Sequence, residues 1–138
     1  MDDKVFLDTN IIIYSYSSTE PEKQAVASRL IAEENSYIST QVLTELCNTI
    51  TKKLKQPYSV AASAVSECCK NNNLFVNDQY TIEEATKIAD RYGFSFYDSL
   101  IISAAISAGC LRLYSEDMHH GQVIGGKLTI INPFVVDK

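Results

Sequence analysis

Short β-like runs alternate with longer helical stretches from one end of the chain to the other. The runs are Val5-Phe6-Leu7, Tyr37-Ile38-Ser39, Leu74-Phe75-Val76, Leu111 to Tyr114 and Leu128 to Ile131. A helix between two strands returns the chain in the same direction, by a right-handed crossover, so the strands pair in parallel. The expectation is an α/β fold of three layers, with a central, mostly parallel five-stranded sheet and helices on both faces. A chain of 138 residues, 46% apolar, is long enough to bury a real core. No repeat, linker or low-complexity segment divides it, so residues 1–138 read as a single domain.

The helices announce themselves by spacing and caps. The first begins at Thr9 or Asn10 and runs to about residue 16. Thr19 with Glu22 reads as a capping box with Pro21 in the first turn, ahead of an apolar face of Ala25, Val26, Leu30 and Ile31. A helix over 40–55 carries Val42, Leu43, Leu46, Ile50 and Leu54, and Pro57 stops it. One over 59–72 turns Val60, Ala61, Ala64, Val65 and Cys68 inward. Thr81 and Glu84 suggest a second capping box, with Ile82, Ala85, Ile88, Ala89 and Tyr92 as the stripe and Gly93 as the stop. Ser95 caps a last helix over 96–108 that is apolar nearly all round and therefore buried, closed by Gly109.

The net charge of −5 argues against a nucleic-acid partner unless the negative charge is gathered into a cation site. No apolar run approaches the roughly 20 residues of a membrane span. The acidic start, Met1-Asp2-Asp3, is unlike a secretory signal, so a cytoplasmic location without membrane contact is expected. Cys47, Cys68, Cys69 and Cys110 form no C-x-x-C pair, and His119-His120 supply no zinc spacing; buried, reduced thiols are expected.

Four acids fall where strands end and helices begin. Asp8 ends the first strand, Glu45 lies early in the helix after the second, Asp98 opens the buried helix and Asp117 comes just after the fourth strand. In a parallel α/β sheet these positions share one edge, the edge where ligands bind. Each acid also has a plainer explanation. Asp8-Thr9-Asn10 makes a capped turn, Glu45 favours a helix N-terminus, Ser95-x-x-Asp98 is itself a capping box, and Asp117 is a loop acid. Together at one rim they cannot all stay ionised without compensation. Mg²⁺ suits hard oxygen donors that retain water. The chemistry this implies is metal-assisted phosphoryl transfer, with one metal activating water and a second, if present, steadying the leaving oxygen.

Val5-Phe6-Leu7-Asp8-Thr9-Asn10, Thr44-Glu45-Leu46, Phe96-Tyr97-Asp98-Ser99-Leu100 and Tyr114-Ser115-Glu116-Asp117-Met118 together resemble the PIN-domain ribonucleases, and among them the VapC toxins. The likeness extends to Ile131-Asn132-Pro133-Phe134. It implies a Rossmann-like PIN fold and an endoribonuclease dependent on Mg²⁺ or Mn²⁺, one or two per site. It implies Asp8, Glu45, Asp98 and Asp117 as the catalytic and metal-binding quartet, with Asn10 and Ser115 as polar supports. It further implies a homodimer, an RNA substrate and a VapB-type antitoxin, with promoter DNA bound only through the antitoxin complex. The basic content near the rim is modest: Lys52, Lys53 and Lys55 read first as favourable charge at a helix C-terminus and second as phosphate contacts, with Arg112 and Lys127 weaker candidates; His119 and His120 read first as a loop beside Gly121 and second as substrate or metal contacts; the tyrosines read mostly as core-edge residues, any exposed one being a candidate for stacking on a base.

Two other functions fit parts of the pattern. Aspartate-based phosphotransfer also places an Asp at a strand end, but Asn10 stands where dehalogenase-like enzymes carry a second acid. A non-catalytic module would use the acidic rim to grip a basic partner.

Overall fold

Residues 3–135 are described in a computed structural model. The strands are β1 (Lys4–Leu7), β2 (Asn35–Ser39), β3 (Asn73–Phe75), β4 (Arg112–Tyr114), β5 (Val123–Ile124) and β6 (Leu128–Ile131). They form one sheet in the order β3-β2-β1-β4-β6-β5. β1 lies in the middle, pairing Phe6 with Tyr37 of β2 and with Leu113 of β4, both in parallel. Parallel strands are buried on both faces, and Phe6, Leu7, Ile38, Leu113 and Ile130 are fully enclosed.

The sheet has six strands, one more than the five expected. The extra strand, β5, pairs antiparallel with β6 through Val123↔Thr129 and Ile124↔Leu128. Two residues are too few to show a period-two pattern. Its turn did leave a mark in the sequence, since Gly125 and Gly126 have φ of 59° and 67°, where side-chain-bearing residues are strained.

Six α-helices flank the sheet on both sides among the described residues. They are α1 (Thr9–Ser15), α2 (Pro21–Glu33), α3 (Thr40–Asn48), α4 (Tyr58–Asn71), α5 (Gln79–Tyr92) and α6 (Phe96–Ser107). The two-helix crossover between β2 and β3 is present, with a π-helical turn over Thr49–Lys53 extending α3. None of the described helices is long and apolar enough to cross a membrane.

Two of the three expected capping boxes are misplaced. α2 starts after Glu20, with no side-chain cap, so Thr19 lies outside it. α5 is capped by Asp78, whose carboxylate accepts from the Thr81 amide and hydroxyl at 2.9 and 2.8 Å; Thr81 is therefore inside the helix. Ser95 does cap α6, accepting from the Asp98 amide at 3.2 Å. Gly93 closes α5 in the left-handed region, at φ 80°.

Helical stripes also shift by one position in places. On α5 the stripe is Thr81, Ala85, Ile88 and Tyr92, spaced by four, three and four, and Ile82 lies about 100° away from it, exposed. On α4 the same offset exposes Val60 beside the buried Ala61, Ala64 and Cys68, and on α2 Ala25 is exposed while Ala27 is enclosed. Of the cysteines, Cys68 and Cys110 are buried, Cys47 is half-buried and Cys69 is exposed, contrary to the expectation of four enclosed thiols. All four are free.

α6 is enclosed over Ser99 to Ala105 and packs against α5 and the sheet, so its first turn is held rigidly. Ile102→Ala is expected to lower the unfolding free energy by about 2–5 kcal/mol, as a shifted urea midpoint with unchanged slope. Ile82→Ala should change it by less than about 0.5 kcal/mol. Equal losses would contradict the packing described.

Candidate active site

The residue after β1, helices α1 and α3, the first turns of α6 and the loop after β4 line one pocket of about 560 Å³. Asp8, Glu45, Asp98 and Asp117 all line it. Thr9, Asn10, Gln41, Asn48, Thr49 and Tyr97 supply further polar lining.

Asp8 is the most enclosed of the acids, at 7% exposure. It is the N-cap of α1: its Oδ1 accepts from the Thr9 amide at 2.7 Å, and its Oδ2 accepts from the Ser115 hydroxyl at 2.8 Å. Burial in a dry strand end disfavours the carboxylate and outweighs these two donors. Its pKa rises from 3.8 to about 6, with the nearby charges of Glu45 and Asp98 adding to the effect. Asp98, half-buried, is also raised, first by desolvation; the Ser95 hydroxyl opposes the rise, and the charges of Asp117 and Glu45 reinforce it.

Glu45 is held from two sides. The Thr9 hydroxyl donates to its Oε1, and the Gln41 amide donates to its Oε2 at 3.4 Å. Gln41 Nε2 also donates to the Tyr97 carbonyl at 3.0 Å, which ties α3 to the first turn of α6. Asp117 is exposed, and its Oδ2 accepts from Asn10 Nδ2 at 2.9 Å. Asn10 Oδ1 in turn faces the Glu116 amide at 3.4 Å. Ser115 itself is fully enclosed, and its amide donates to the Ile131 carbonyl at 2.9 Å.

The loop carrying Asp117 has a second anchor. Glu116 accepts from the Tyr14 hydroxyl and from Lys23 Nζ. Lys23 lies 4.7 Å from the centre of the Tyr14 ring and 5.4 Å from that of Phe134, and the two rings meet edge to face. Sequence reasoning missed Thr9, Gln41 and this clamp. Gln41 was readable in principle, since it stands one helical turn before Glu45. Lys23 and Glu116 are far apart in the chain, and no local pattern links them.

The basic candidates do not line the pocket. Arg112 pairs with Glu34 at 3.1 Å and Asp3 at 3.8 Å, at the start of β4, opposite the pocket's end. Lys52, Lys53, Lys55 and Lys127 are exposed elsewhere. His119 is exposed, and His120 Nδ1 accepts from the Asn132 amide at 2.9 Å.

The donor set fits a hard divalent cation. It consists of carboxylates with Asn and Gln amides, includes no Lys, Arg or His, and sits where burial, reinforced by neighbouring negative charge, raises two of the acids. Gln41 Oε1 is buried without a partner, which leaves acceptor capacity for a bound group. Among the described residues no three of His, Cys, Asp and Glu converge into a preformed cage.

Residues 5–123 match the family model of the PIN domain. No curated protein matches the chain. Several solved structures share its fold. A toxin–antitoxin complex from Klebsiella pneumoniae is 20% identical with a TM-score of 0.69, covering 96% of this chain and 99% of that one. VapC20 of Mycobacterium tuberculosis, a toxin that cleaves the sarcin-ricin loop, is 20% identical at 0.67, over 82% and 89%. DNA-bound VapBC from Salmonella typhimurium is 20% identical at 0.64, over 92% and 97%.

The raised Asp8 pKa has a definite sign for stability. Native Asp8 binds a proton that the unfolded chain has already released between pH 3.8 and about 6, so its contribution is full at low pH and is lost as pH rises through about 6. Roughly two units correspond to about 3 kcal/mol. In EDTA, urea titrations across this window should show Asp8→Asn removing that decline and exceeding the wild type in stability at pH 7.5. An unchanged slope would contradict the dry environment assigned to Asp8.

Proposed function

The chain belongs to the PIN-domain family, and from that premise we propose that it is a metal-dependent endoribonuclease, the toxin of a toxin–antitoxin pair. The observation that carries the proposal is one pocket bordered by Asp8, Glu45, Asp98 and Asp117 with no cationic side chain in its lining. Such a pocket repels a phosphodiester unless a cation is bound.

Asp8, Glu45, Asp98 and Asp117 would hold the ion, Mg²⁺ or Mn²⁺, one or two per site. When bound, it supplies the positive charge that draws in and polarises the phosphodiester. The chain's own part is orientation. Thr9 and Ser115 fix both Asp8 oxygens, Thr9 and Gln41 aim Glu45, and Asn10 holds Asp117. Carboxylates locked by neighbours lose little entropy on binding a cation, which is how a site with few protein ligands gains selectivity. Asn10 and Ser115 act as positioning residues in this scheme.

An RNA substrate is supported by the similar toxin that cleaves the sarcin-ricin loop. A VapB-type antitoxin, and promoter DNA bound through the antitoxin complex, are supported by the similar toxin–antitoxin complexes, one of them on DNA. A homodimer and a cytoplasmic location complete the proposal. Aspartate-based phosphotransfer is less well served, since no lysine stands in the pocket to steady an acyl phosphate.

Purified protein should cleave total RNA with Mg²⁺ or Mn²⁺ and stop in excess EDTA. Asp98→Asn, with an unchanged far-ultraviolet dichroism spectrum, should lower the rate by at least about 100-fold, since a lost ligand weakens metal-supplied charge stabilisation of several kcal/mol. Full activity of Asp98→Asn, or cleavage that survives EDTA, would overturn the proposal.

A further inference from the structure

An acidic nuclease must still grip its RNA. None of the residues lining the pocket is Lys, Arg or His. A bound cation accounts for the scissile phosphate, but the rest of the strand needs another source of affinity. We propose that Tyr97, backed by Phe96, is a stacking platform for an unpaired nucleobase of the RNA next to the scissile phosphate, a role that rests on the nuclease reading.

The two aromatics stand out by position. α6 is enclosed along Ser99 to Ala105, yet it begins with Phe96 at 39% and Tyr97 at 65% exposure. The two rings are adjacent and touch, so they form a small exposed aromatic patch whose Tyr97 half lines the polar pocket. Tyr97 lines the pocket and is the residue immediately before Asp98, so a base on this ring belongs to a nucleotide adjoining the acid cluster.

The platform is preorganised. The Phe96 and Tyr97 rings meet edge to face, with centroids 5.6 Å apart and planes at 72°. The Tyr97 carbonyl accepts the Gln41 amide at 3.0 Å, and Ser95 caps the turn below it. A ring restrained before binding loses less rotamer freedom when a base covers it. Tyr58 at 73% and Tyr80 at 64% are comparably exposed, but neither lines this pocket, which is what singles out Tyr97. Aromatic stacking tolerates any base, because each presents a π face. It works without positive charge, which suits a chain of net charge −5.

The test is steady-state cleavage of a short single-stranded RNA in Mn²⁺, with the same RNA carrying single abasic positions. Tyr97→Ala should raise KM about tenfold to a hundredfold, the range that base–aromatic stacking produces, with kcat changed less than about threefold. Tyr97→Phe and Tyr97→Trp, which keep the ring, should stay within about threefold of the wild type. One abasic position should weaken the wild type and leave Tyr97→Ala unaffected, since the stacking partner is already missing. A wild type that cleaves RNA alongside a Tyr97→Ala protein of equal KM would overturn the stacking role alone. So would loss in Tyr97→Phe equal to that in Tyr97→Ala, or a Tyr97→Ala protein that sediments as a monomer where the wild type sediments as a dimer, which would place this face between two copies of the chain. A wild type that neither binds nor cleaves RNA would overturn both the nuclease reading and this one.

Discussion

The Asp8 carboxylate accepts one hydrogen bond from the Thr9 amide and one from the Ser115 hydroxyl, at the end of the central strand and almost out of water. Burying a charge is costly unless it is paired, and these two neutral donors do not cover the cost, as the rise of its pKa to about 6 shows. The protein thus maintains a carboxylate whose charged form is disfavoured by burial, the feature on which the proposed cation site rests. The enclosed β1 and its neighbours β2 and β4 hold that acid in place, so the penalty cannot be relieved by moving into solvent.

Around Asp8 the supports divide by element. Thr9 and Gln41 hold Glu45, and Gln41 reaches across to the first turn of α6, which carries Asp98. Asn10 reaches the loop after β4, where Tyr14 and Lys23 grip Glu116 next to Asp117. Helix α1 therefore touches three of the four acids through Thr9, Asn10 and the Asp8 cap itself, and α2 contributes through Lys23. The cluster is oriented by neutral and remote groups, and positive charge is kept out of the pocket. In the proposed scheme that division leaves the space between the acids to a cation and Tyr97 to a nucleobase.

The parallel sheet, its helices and the meeting of Asp8, Glu45, Asp98 and Asp117 at one pocket were legible in the sequence. Strand–helix alternation sets the topology, and topology puts strand ends together. The capping boxes at Thr19 and Thr81 were less legible: α2 begins after Glu20 with no side-chain cap, and Asp78, three residues before Thr81, takes the cap of α5. Strand β5 was too short to show alternation, though Gly125-Gly126 marked its turn. The Lys23–Glu116 clamp and the exposure of Tyr97 depend on which surfaces meet after folding, and no local pattern carries that information.

The proposed divalent cation would sit between Asp8 and the acids facing it. Anomalous diffraction from crystals of the protein soaked in Mn²⁺ tests it most directly. The expected result is an anomalous peak in the pocket, within bonding distance of Asp8 and at least one of Glu45, Asp98 and Asp117, that disappears in Asp8→Asn. A pocket without a peak, with manganese bound only elsewhere on the surface, would contradict it.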